Sequence, residues 1–70
     1  MKKYKLQNML DARKRKGLSQ ENLADICGCS QRQISQFENC IVELRSKTII
    51  KIANELGLTF KEVVECKEVK

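Results

Sequence analysis

The chain has no histidine, no proline and no tryptophan, and only three glycines in 70 residues. Without histidine it lacks the commonest general base and the commonest nitrogen ligand for a metal. No nucleophile–base pair is recognisable, and no glycine-rich loop of the kind that cradles phosphates. The expectation is therefore a non-enzyme without cofactor, metal or small-molecule ligand. The lack of proline removes the usual linker signal and leaves little to break helices. One tyrosine and two phenylalanines are the whole aromatic complement, too few for a sandwich or barrel of strands. No apolar run approaches the ~18 residues of a membrane span. The basic start MKKYKLQNML is too polar for a signal peptide, so the expected location is cytoplasmic.

Cysteine is present four times, as Cys27, Cys29, Cys40 and Cys66. The spacing C-x-C, then ten residues, then C, then 25 residues, then C lacks the C-x2-C knuckle of zinc sites. Reduced thiols suit a chain without a signal peptide, with Cys27 and Cys29 as small core fillers. The net charge of +5 favours a polyanionic partner but is moderate. Its placement is more telling: Lys2, Lys3, Lys5, Arg13, Lys14, Arg15 and Lys16 crowd the beginning.

A chain of this length is one domain with a small core, in which every apolar position matters. Five helical segments can be drawn. The first runs from about Lys3 to Lys16, with Leu6, Met9 and Ala12 inward, and stops at Gly17. Ser19 caps the second, whose apolar positions are Leu23, Ala24, Ile26 and Cys27, and Gly28 closes it. Ser30 caps the third, which covers Gln31 to Glu38, with Asn39 as a left-handed stop. The fourth runs from near Ser46 to Leu56, with Ile49, Ile50, Ile52, Ala53 and Leu56 buried. Thr59 caps the fifth, whose apolar positions are Phe60, Val63 and Val64, and Glu62 completes a capping box. Residues 66–70 read as a frayed tail. The fold class is all-α, a compact five-helix bundle.

Segments two and three, a pair of short helices joined by a turn containing glycine, make a helix-turn-helix over residues 19–39. At about 100° per residue, Gln31, Arg32, Ser35, Gln36 and Asn39 share an arc of roughly 140°. Ile34 and Phe37 lie opposite. The polar face carries no carboxylate, unlike an ordinary solvated face with mixed Glu and Lys. In the major groove Gln pairs with adenine, Arg with guanine, and Ser with either kind of partner. Gln20 starts the second helix among free backbone N–H groups, where a DNA phosphate is favoured.

With these positions in one register, GLSQENLADICGCSQRQISQFEN and the following TIIKIANELGLTFKEVVE resemble the Cro/CI-type (Xre-type) helix-turn-helix regulators of phages and bacteria. The resemblance spans roughly Leu6 to Glu65. It implies a lambda repressor-like DNA-binding domain whose helix from Gln31 enters the major groove. By position it assigns base contacts to Gln31, Arg32, Ser35 and Gln36, and backbone contacts to Gln20 and Asn39. It also implies a structural ion pair between Arg13 and Glu38. One departure is Cys40-Ile41-Val42-Glu43-Leu44-Arg45, where the family often has lysines and then proline. Arg45 and Lys47 are expected to take over those phosphate contacts.

The apolar Ile41, Val42 and Leu44 must either join the core or form a protein–protein surface, which together with the fifth helix would serve a homodimer. The implied function is sequence-specific binding of double-stranded DNA by a dimeric transcriptional repressor on a near-palindromic operator. The alternative is a protein-interaction module that keeps the fold but no longer binds DNA.

Overall fold

The structure is a computed structural model that describes residues 2–69. In chain order the elements are β1 (Lys3–Lys5), α1 (Gln7–Arg15), α2 (Gln20–Cys27), α3 (Gln31–Glu38), α4 (Ser46–Leu56), α5 (Phe60–Val64) and β2 (Lys67–Val69). The five helices are those the sequence predicts, with a minor two-stranded ribbon added.

Local chemistry explains the helix boundaries. The hydroxyls of Ser19, Ser30 and Thr59 each accept the backbone N–H three residues on, at 3.0, 3.1 and 3.2 Å. Such a side-chain cap stabilises a helix by about 1 kcal/mol. Glu62 closes the Thr59 capping box, and Gln33 closes a second one at Ser30 that the sequence reading missed. The fourth helix starts at Ser46, and Arg45 holds the cap position without a side-chain bond.

Two further expectations are corrected. Lys3–Lys5 does not extend the first helix but pairs antiparallel with Lys67–Val69, where a frayed tail was expected. The register is Lys3 with Val69, Tyr4 with Glu68 and Lys5 with Lys67. Lys70, the end of that expected tail, lies outside the described residues. Three-residue strands are marginal alone, so the ribbon needs anchors. Leu6, buried just after β1, donates its N–H to the carbonyl of Glu38 at 2.8 Å. From the other strand's first residue, Lys67 Nζ reaches Asn8 Oδ1 at 3.2 Å, and Asn8 Nδ2 donates to the Glu62 carbonyl at 3.0 Å.

The second correction concerns the end of α3. Asn39 has φ −93° and is not left-handed; the left-handed residue is Cys40, at φ 59°. The N–H of Cys40 then bonds the Phe37 carbonyl, and that of Ile41 bonds the Gln36 carbonyl. This is the double closure that usually requires glycine, completed here by a cysteine.

The core gathers one face from every helix. Met9 and Ala12 of α1, Leu23, Ala24 and Cys27 of α2, Ile34 and Phe37 of α3, Ile49, Ile52, Ala53 and Leu56 of α4, and Val63 of α5 are buried. Each large side chain among them contributes about 1.5–3 kcal/mol. Ile26 and Ile50 depart from the expected stripes: each is 49% exposed, because its position rotates away from the packed face. Among the described residues, no helix is long and apolar enough to cross a membrane.

Candidate nucleic-acid interface

The placement of α3 begins with Ile34 and Phe37, which are buried and pin one side of the helix to the core. The opposite side faces out. Gln31 and Arg32, in its first turn, are exposed; Ser35 and Gln36, one turn on, are half-buried; Asn39, just past the helix, is exposed again. The side-chain hydrogen bonds among the described residues leave Gln31, Arg32, Ser35 and Gln36 unengaged, and no ion pair involves Arg32. The donors and acceptors of these groups are thus not used within the described residues. Gln33 instead turns back to its own helix start, where its Oε1 accepts the Ser30 N–H at 3.0 Å.

Beneath this face lies a buried polar cluster. Arg13 Nε donates to Glu38 Oε2 at 2.7 Å, and Nη2 reaches Oε1 at 3.4 Å. Arg13 Nη1 donates to the Leu18 carbonyl at 2.8 Å, in the turn between α1 and α2. Gln20 Nε2 donates to Glu38 Oε1 at 2.8 Å. No buried side-chain nitrogen or oxygen is left without a partner among the described residues. A buried charge pair stabilises only when its remaining donors and acceptors are satisfied, and here they are. The cluster joins α1, α2 and α3, so it fixes the angle between the two helices of the motif.

Gln20 therefore has a structural task that sequence reasoning missed. One amide hydrogen goes to Glu38; the other, and the free backbone N–H groups at the start of α2, remain available. No local pattern announces this contact, since its partner lies in the next helix. Asn39 donates Nδ2 to the Ser35 carbonyl at 2.8 Å, which ties its amide to the last turn of α3. Arg45 and Lys47 are both exposed at the beginning of α4, on the far side of the loop that follows α3.

That loop divides its apolar residues. Val42 and Leu44 are half-buried and pack on the core. Ile41 is 68% exposed and lines an open groove with Phe37, Leu44, Phe60 and Val64. Phe60, on α5, is itself 43% exposed. Of the thiols, burial raises the pKa of Cys27, with the nearby Cys29 and Glu55 adding to it, and burial raises that of Cys29. No group of residues among those described is arranged to hold a metal ion.

Comparison with known proteins adds three findings. A family model described as Helix-turn-helix matches residues 9–63. No curated protein matches the chain in sequence. Among solved structures, the chain is similar to the restriction-modification controller protein C.AhdI from Aeromonas hydrophila. The TM-score is 0.72 at 29% identity, over 83% of this chain and 88% of that one.

Proposed function

This chain belongs to the Cro/CI-type (Xre) helix-turn-helix family of DNA-binding transcriptional regulators, and from that premise we propose that it is a dimeric repressor of a near-palindromic operator. The observation that carries the reading is the outer face of α3. It offers two amides, a guanidinium and a hydroxyl, none engaged by the protein and none accompanied by a carboxylate. In this reading Gln31, Arg32, Ser35 and Gln36 touch base edges. Gln20, Asn39, Arg45 and Lys47 hold the sugar–phosphate backbone, with the start of α2 aimed at a phosphate.

A small helix-turn-helix reads too few base pairs alone for useful specificity. Two copies reading half-sites about 34 Å apart double the site. Ile41 and Phe60, exposed around one groove, supply an apolar surface for the second copy. The similarity to a controller protein supports a regulatory role, exercised in the cytoplasm of a bacterium or by a phage-encoded protein.

The test is selection of bound sequences from random duplex DNA, followed by a salt titration on the winner. The expected result is a two-fold symmetric consensus bound with a steep loss of affinity as salt rises. Absence of any enriched sequence, with a flat salt response, would leave the second reading. In that case the exposed Ile41 and Phe60 would belong to a module that binds protein and not DNA.

A further inference from the structure

We propose that Cys40 and Cys66 form an oxidisable pair, which hydrogen peroxide converts to an intrachain disulfide tying β2 to the end of the recognition helix. The two sulfurs come from opposite ends of the second half of the chain, and the backbone brings them together. Cys40 is locked in its left-handed conformation by the two hydrogen bonds that close α3. Its side-chain direction is therefore set by the turn. Cys66 immediately precedes β2, just as Leu6 immediately follows β1, so both leave the ribbon at its Lys5–Lys67 end. Leu6 in turn bonds the Glu38 carbonyl, in the last turn of α3. Both cysteines line the groove formed with Leu6, Phe37 and Val64.

Burial, then a hydrogen bond and charge interaction with Cys66, push the Cys40 thiol up to about 11. Exposure differs in the way a two-step oxidation needs. Cys66 is exposed and meets a small oxidant first, whereas Cys40 is half-buried. Peroxide takes an electron pair from the Cys66 thiolate: an S–O bond forms, the O–O bond breaks and hydroxide leaves, giving a sulfenic acid. The Cys40 sulfur then attacks the Cys66 sulfur. The S–S bond forms, the S–O bond breaks, and the departing hydroxyl takes the Cys40 proton away as water. Cys27 and Cys29 do not line this groove, so they stay outside this chemistry.

The bond would close a loop that contains α4 and α5. Such a link restricts the unfolded chain and braces β2, a strand whose three residues are all exposed. Oxidation thus stiffens the end of the recognition helix and one wall of the groove.

The experiment treats the reduced, full-length protein with hydrogen peroxide, then alkylates it and maps its peptides by mass. The expected product has lost a pair of hydrogens, links the Cys40 and Cys66 peptides, melts several degrees higher, and reverts with dithiothreitol. Its residue 67–69 amides exchange more slowly than in the reduced protein. The Cys66→Ser variant should melt like the reduced wild type and gain nothing from peroxide. The proposal is overturned by Cys66 ending as sulfinic acid beside a free Cys40, by links between chains, or by links to Cys27 or Cys29. A correctly linked product with no rise in Tm would overturn the bracing role.

Discussion

Glu38 holds Arg13 on one carboxylate oxygen, at 2.7 Å, and Gln20 on the other, at 2.8 Å. One buried side chain thereby sets the position of both helices of the DNA-binding motif against α1. The arrangement separates two kinds of polar residue on and around α3: Glu38 and its partners hold the motif from within, while Gln31, Arg32, Ser35 and Gln36 face outward unengaged.

Arg13→Met should lower unfolding free energy by about 3–5 kcal/mol, because Glu38 would be left buried without its cationic partner. Glu38→Gln should cost less, since the amide oxygen still accepts from Arg13 while its own nitrogen faces the Gln20 amide. The paired substitution Arg13→Met with Glu38→Leu should recover part of the loss. Urea denaturation of the three variants measures this. A double-variant loss as large as the two single losses added together would mean that the pair contributes nothing as a unit.

Gln20→Ala should affect both stability and binding, in a pattern that separates its contacts. Loss of the hydrogen bond to the Glu38 carboxylate predicts about 1.5–3 kcal/mol of destabilisation. Loss of a backbone contact predicts weaker binding by a similar factor on specific and random DNA. Thermal melts and gel-shift titrations on both duplexes give the two numbers.

Arg32→Ala should erase preference at a single base position of each half-site, a discrimination of about 1–3 kcal/mol. Lys47→Ala should weaken every sequence alike and reduce the salt slope by about 1 per site. Repeating the random-duplex selection with each variant distinguishes these outcomes. A uniform loss for Arg32→Ala would move that residue to the phosphate backbone.

The capping box at α5 predicts a pH signature. Hydrogen bonds from Thr59, chiefly its backbone N–H, lower the Glu62 pKa below the usual carboxylate range. A carboxyl depressed in the folded state contributes stability above its unfolded pKa and loses it as pH falls through the folded one. The difference in Tm between the wild type and Glu62→Ala should therefore be greatest near neutrality and shrink in acid. Melts from neutral pH down to about pH 3 span the unfolded carboxylate range and check the sign.

Much of the fold was legible because the helix signals are local. Ser19, Ser30 and Thr59 sit where a hydroxyl must cap, and Gly17, Gly28 and Gly57 take the left-handed closures. The buried sides of α1 and α3 follow from residue spacing alone. The failures share a cause: the deciding partner is far away in sequence. Lys3–Lys5 reads as helix until β2, some sixty residues on, offers it a ladder. Ile26 and Ile50 satisfy a helical stripe on paper but turn away from the helices actually packed against α2 and α4. Asn39 was the better left-handed residue by propensity, yet the ladder of α3 runs one residue further and Cys40 takes the strain. In the candidate site the outward arc of α3 could be read directly. The contact of Gln20 with Glu38 could not, since it depends on the angle between α2 and α3.

The pairing of Lys3 with Val69 also has a practical consequence for engineering. Any extension before the first strand and any extension after the second depart from the same corner of the molecule. A short flexible peptide should be able to join them, and the chain could be reopened at the exposed turn around Gly57 to give a circular permutant with the helices in their native places.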